Sequence, residues 1–360
     1  MATIHLKNIA HSYDTSNHPS DYALKPMDHI WEDGKTYALL GPSGCGKTTL
    51  LNIISGLLSP SEGEVYFDNK NITDEPTENR NIAQVFQFPV IYDTMTVRQN
   101  LAFPLKNRKI SSETIETKIM QIAEMLGLSA ILDQRANNLS SDAKQIISLG
   151  RGLIRDDVNA ILFDEPLTMI DPHKKWQLRS KLKELHQQFG FTMVYVTHDQ
   201  TEAMTFANHI VVMKDGEILQ IGTPADLFER PQHTFVGHFI GSPGMNFLPV
   251  SVVGNTAQLG PYTVPLSQSY SDLSSGNILL GIRPEFVSIT SPEDSSIMGC
   301  VSKVEDLGKH KIVRLMIDDN PVAAILPEEE TLSGDTVGVN FKPENTLIYQ
   351  DDILVTGSKI

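Results

Sequence analysis

The stretch Gly41-Pro-Ser-Gly-Cys-Gly-Lys-Thr48, followed by Thr49, leaves this chain few folds to choose from. It meets every fixed position of the pattern G-x-x-x-x-G-K-[ST], sits after the apolar run "TYALL" and leads into the helix-compatible "TTLLNIISGLL". Glycines let such a loop curl until successive backbone N–H groups face phosphate oxygens, and the start of the next helix adds partial positive charge. Gly41, Pro42, Ser43, Gly44, Cys45 and Gly46 are therefore expected to cradle the phosphates of ATP. Lys47 reaches the β- and γ-phosphates, the Thr48 hydroxyl binds Mg²⁺, and Thr49 is a further phosphate donor. Cys45 is a small residue the loop tolerates, since this chemistry needs no thiol.

Two more apolar runs end in polar residues, "NAILFDEP" and "FTMVYVTHD". Short buried strands alternating with helical patterns predict an α/β domain, its mostly parallel sheet carrying the site at the strand C-terminal ends. Asp164 is placed to hold Mg²⁺ through water, and Glu165 to polarise the attacking water. Between the strands, Ile115, Ile119, Ile122 and Leu126 recur at helical spacing behind a Ser-rich start, which predicts an inserted helical subdomain over about 88–153. Beyond about residue 236 the texture changes to short strands punctuated by Gly, Pro and Asp. A P-loop domain over 1–236 and an all-β, OB-like barrel over 237–360 are expected.

Length fits two domains: 360 residues, with a formal net charge of −15. Such acidity argues against nucleic acid or anionic lipid as the main partner. Two cysteines without metal-ligand spacing suit a reducing cytoplasm, and the start "MATIHLKNIA" lacks the layout of a signal peptide. No apolar run approaches the roughly 20 residues that cross a bilayer.

Together these motifs resemble the ATP-binding subunit of an ABC importer, of the carbohydrate class with a C-terminal barrel, over essentially the whole chain. That resemblance implies a role for Gln87 of "VFQFP" in sensing Mg²⁺ and the γ-phosphate, and for His198 of "VTHDQTEAM" on the γ-phosphate. Asp171 of "LTMIDP" becomes the D-loop aspartate, although Thr168 and Met169 depart from the family pattern, and Tyr13 the ring stacked on adenine. Partners are implied as well: a second ATPase subunit, membrane permease subunits at the cytoplasmic face and, indirectly, a solute-binding protein. Phe88, Pro89, Ile91 and Tyr92 form an apolar cluster that is either the permease-docking groove or helical-subdomain core.

One motif departs. The family's LSGGQ, which faces the nucleotide held by the other subunit, reads Leu139-Ser140-Ser141-Asp142-Ala143. A carboxylate about 5 Å from a γ-phosphate costs on the order of 3 kcal/mol per unit charge at an effective dielectric near 20. The departure therefore favours an asymmetric pair, this chain with a different ATPase carrying LSGGQ, over a homodimer. It resembles the second ATPase of bacterial glycerol importers, which implies glycerol or glycerol phosphate as solute. Two rivals remain at this stage. A catalytically weak regulatory subunit conflicts with the intact Glu165 and His198. An ATP-driven nucleic-acid factor conflicts with a barrel whose acidic residues outnumber basic ones roughly two to one.

Overall fold

The computed structural model describes residues 2–14, 22–270, 273, 276–332 and 334–359. The chain divides into two compact units, Met1–Pro224 and Ala225–Ile360.

The first unit is built on a six-stranded sheet. Its strands lie in the order Glu217–Gly222, His209–Lys214, Thr36–Leu40, Met193–Thr197, Ala160–Asp164, Ile82–Val85. All neighbours but the first pair run parallel. Thr36–Leu40 and Met193–Thr197 are buried along their whole length, as central strands covered on both faces must be. Four strands end together, at Leu40, Val85, Asp164 and Thr197. The residues immediately beyond those ends are the P-loop, Phe86-Gln87, Glu165 and His198.

A second sheet of the same unit, order Tyr22–Trp31, Ile4–Ser12, Glu62–Phe67, Lys70–Asn71, is antiparallel. The alternating-motif reading did not foresee it. It matters to the site because Tyr13 directly follows its strand Ile4–Ser12.

The helical insertion comprises Val97–Asn107, Ser112–Leu126 and Ser141–Leu153. Ile115, Ile119, Ile122 and Leu126 form the buried face of the middle helix, and Ser111 caps it by accepting from the Thr114 amide. Gly127 ends that helix in the left-handed conformation, at φ 69°.

The second unit is all-β apart from short helices. Its described residues form three antiparallel sheets around one apolar core that includes Leu248, Leu266, Val313, Val339 and Ile348. The expected boundary after residue 236 falls instead at Ala225, so Thr234–Phe239 and all but the first residue of Pro224–Glu229 go with the β-rich unit. Arg283 supplies the reason. Buried among these helices, it donates to the carbonyls of Leu227, Phe228 and Ile240, and its guanidinium lies 4.1 Å from the centroid of the Phe228 ring. Burial pushes Arg283 down to about 10, so it remains charged at neutral pH. Without those carbonyls a buried cation would be unpaired, so helices and strands hold together as one piece.

Candidate active site

The loop from Gly41 to Gly46 is shaped by its glycines. Gly44 and Gly46 have φ of 81° and 100°, where an L side chain is strained. At Gly41 a Cβ would lie 2.3 Å from the Met213 carbonyl oxygen. Lys47 is buried, and its ammonium donates to the carbonyls of Gly41 and Pro42 at 2.8 Å each, so the cation is held at the floor of the loop. Cys45 is buried beside it, and burial pushes its thiol up, against the pull of Lys47. A neutral packing residue is what that environment favours.

A cavity of about 400 Å³ opens over this loop, lined by Ser43, Gly44, Lys47, Thr48, Thr49, Glu165 and Tyr13 among others. The Tyr13 hydroxyl lies 3.1 Å from that of Thr49, while its ring is largely exposed and meets His11 edge-on at 4.7 Å. His11 is buried and kept neutral by that burial. An exposed ring braced from behind beside the P-loop has the geometry that stacking on a base would need.

Across the cavity, Thr48 Oγ1 donates to Asp164 Oδ1 at 3.2 Å, so hydroxyl and carboxylate converge. Burial raises the Asp164 carboxyl, an effect the Thr48 hydrogen bond opposes and the neighbouring Glu165 reinforces. Two hard oxygen ligands at a phosphate cradle suit Mg²⁺, which keeps several waters and takes few protein ligands. Among the described residues no group of three or more His, Cys, Asp or Glu side chains could hold a metal, as a zinc-type site would require.

Glu165 follows the strand with φ 47°, in the left-handed region that a non-glycine residue enters at a cost of order 1–3 kcal/mol. That backbone turn brings Glu165 between three side chains. Gln87 Nε2 and Thr168 Oγ1 each donate to Oε2 at 3.4 Å, and His198 Nδ1 lies 3.2 Å from Oε1. The loop of His198 is fixed from beneath by Glu202, a buried carboxylate accepting from Tyr195 at 3.0 Å and Thr197 at 2.9 Å. Burial next to Glu202 drives the Tyr195 hydroxyl far up, which keeps it a donor.

Tyr13, Lys47, Thr48, Asp164, Glu165, Gln87 and His198 thus meet at one edge of the sheet. The signature residues Leu139, Ser140, Ser141 and Asp142 belong to a different surface, bordering a depression lined by Ser140, Ala143 and Lys174. Ser140 is the N-cap of the helix Ser141–Leu153, accepting from the Ala143 amide. The sequence reading left the Asp142 charge uncompensated. Lys174 Nζ lies 3.4 Å from Asp142 Oδ2, so the carboxylate has a cation of its own chain beside it. Asp171 is the N-cap of the helix Pro172–Phe189, accepting from the His173 amide at 2.9 Å, with Pro172 opening the first turn.

Phe88, Val90 and Tyr92 are exposed, and Pro89 and Ile91 half-buried, so this run is surface rather than core. Asn100, fully buried, pins it by accepting from the Tyr92 amide and donating to the Tyr92 carbonyl. Arg151 lies 4.9 Å over the Tyr92 ring. Sequence reasoning missed Asn100, Glu202 and Val90, and marked Thr168 only as a departure from the family pattern. For the first two the signal available was a polar residue at the apolar phase of a helix.

Comparison with known proteins identifies the family. The ABC transporter family model matches residues 24–168, the MalK OB fold domain 241–287 and the TOBE domain 280–348. The chain belongs to the ATP-binding subunits of ABC transporters, enzymes that couple ATP hydrolysis to transport. Within them it falls among the import ATPases of the sugar and glycerol-phosphate class. It is 38% identical to the sn-glycerol-3-phosphate import ATP-binding protein UgpC of Vibrio vulnificus, over 91% of this chain and 89% of that one. The trehalose/maltose import ATP-binding protein MalK of Thermococcus litoralis is also 38% identical, over 91% and 93%. The oligosaccharides import ATP-binding protein MsmX of Bacillus subtilis is 38% identical over 95% of both chains. A solved ATP-binding cassette in a dimeric post-hydrolysis state, bound to ADP and Pi, matches with TM-score 0.55 and 30% identity, covering 61% of this chain and 98% of that one.

Proposed function

We propose that this chain, working at the cytoplasmic face of a cell membrane, cleaves ATP with Glu165 as the base that polarises water, and so powers uptake of a small polyol or its phosphate. The observation that carries the reading is the convergence of Gln87, Thr168 and His198 on the Glu165 carboxylate beside the P-loop. Lys47 and the loop amides bind the β- and γ-phosphates, and Tyr13 stacks on adenine. Mg²⁺, held by Thr48, Asp164 and Gln87, supplies charge neutralisation at the phosphates when bound. His198 holds the terminal phosphate and orients Glu165 toward the water. Among the described residues no helix is long and apolar enough to cross a membrane, so translocation falls to permease partners docked on Phe88, Pro89, Ile91 and Tyr92.

Glycerol phosphate is favoured as solute because several of the similar proteins are named for its import, although others are named for maltose and oligosaccharides. Pairing with a second, different ATPase rests on Ser141, Asp142 and Ala143 alone, and nothing in the relatives' names points to it. Purification of the intact membrane complex tests both points. One ATPase species in the transport-competent complex refutes the asymmetric pair, and two support it. Hydrolysis stimulated by a binding protein loaded with glycerol phosphate, and not with maltose, identifies the solute class.

A further inference from the structure

Gln145 lies in the helix that begins at the signature, and it is fully buried. Its Nε2 donates to two backbone carbonyls, Phe86 at 2.9 Å and Pro166 at 2.9 Å. Only this orientation of the amide is consistent with those neighbours, since the reverse would press an oxygen against two carbonyls. Its own Oε1 is buried with no hydrogen-bond partner among the described residues.

The two carbonyls are not arbitrary. Phe86 immediately precedes Gln87, and Pro166 immediately follows Glu165. One residue away on each of the same two loops, Gln87 Nε2 meets Glu165 Oε2 at 3.4 Å. One side chain therefore ties the signature helix to the loop of Gln87 and the loop of Glu165, while the reacting groups face each other across the gap it sets.

We infer that Gln145 is a positioning residue, which sets the separation of Gln87 and Glu165 and carries displacements of the signature helix to both. This rests on the proposed role of Glu165. Movement of that helix, the part expected to face the other subunit's nucleotide, would shift both loops together through two hydrogen bonds, because the amide cannot follow the helix without dragging the carbonyls or breaking from them.

The test uses the assembled transporter with Gln145→Met, which keeps length and apolar volume but removes both donors. Gln145→Asn keeps the amide on a shorter arm that cannot span both carbonyls. Ile147→Ala, at a fully buried position on the same helix, serves as the control for lost packing. With two hydrogen bonds at stake, kcat should fall about ten- to a hundredfold in Gln145→Met, while KM for ATP stays within about twofold. Gln145→Asn should fall between it and the wild type. A kcat loss no greater than that of Ile147→Ala at an equal drop in Tm would make the residue structural and overturn the inference. So would loss of the fold in both Gln145 variants. Wild-type turnover in Gln145→Met, with Glu165→Gln still inactive, overturns the inference and leaves the function standing. Hydrolysis unaffected by Glu165→Gln overturns both.

Discussion

His198 Nδ1 lies 3.2 Å from Glu165 Oε1, on the opposite oxygen from the one that Gln87 and Thr168 approach. A carboxylate held from both sides has little freedom to turn, so its basicity is aimed. Replacing it by the amide keeps size and removes the base. Glu165→Gln should leave ATP binding intact and lower turnover of the assembled transporter by about 10²–10⁴-fold, the usual worth of general-base catalysis. Equilibrium nucleotide binding and steady-state phosphate release on the same preparation check it, and near-wild-type release would remove Glu165 from the role.

Asp164 presents a trade between function and stability. Burial raises its carboxyl above the ordinary aspartate range, so the folded state holds the proton more tightly than the unfolded chain. That contribution to stability is fully present below the unfolded value and is lost as pH rises through the raised folded value. Asp164 is half-buried, and removing its ionisable group with Asp164→Asn should raise Tm of the nucleotide-free protein at neutral pH while lowering Mg²⁺-dependent hydrolysis at least about tenfold. Thermal melts at pH 7 and pH 4 decide the point, because the advantage of the variant should shrink toward the acid end.

Lys174 and Asp142 are partly exposed, so their attraction should contribute no more than about 1 kcal/mol to folding. Its effect should show instead between subunits. Lys174→Ala removes the cation beside the Asp142 carboxylate, and under the proposed role of that surface turnover should drop several-fold. Adding Asp142→Asn should restore it. A double-mutant cycle on ATPase rate measures the coupling, and additive effects would show that the pair does not shield the site.

The apolar run after Gln87 predicts a different phenotype. Phe88→Asp or Tyr92→Asp places a charge on a surface that should be covered by the permease, which is costly unless paired. Because both side chains are exposed in the single chain, Tm should barely change while the subunit is lost from membranes. Sedimentation of membranes with bound subunit, alongside thermal melts, reads both arms.

Much of this was legible in the residues themselves. A P-loop needs glycine where φ is positive, as at Gly44 and Gly46, or where backbone approaches closely, as at Gly41, so these residues announce their conformation locally. Asp164 and Glu165 could be placed because a short apolar strand has few ways to end. The helical insertion was visible from Ile115, Ile119, Ile122 and Leu126, whose spacing alone defines a buried face. In the second unit, turn residues between short strands gave the all-β class, but not that the helices before it join it. Arg283 decides that, through carbonyls about 40 to 60 residues away in sequence, where no periodicity reaches.

The sequence by itself determined which chemistry this protein can perform, because phosphate cradles and strand-end carboxylates are set by residue types within a few positions. Only the tertiary structure decided how those groups are held. That Lys174 sits beside Asp142, that Glu202 braces the loop of His198 and that Gln145 spans the carbonyls of Phe86 and Pro166 are consequences of packing separate helices and strands together. A buried donor must find its acceptor wherever the fold brings one near, and that pairing is a property of the assembled core rather than of any local stretch.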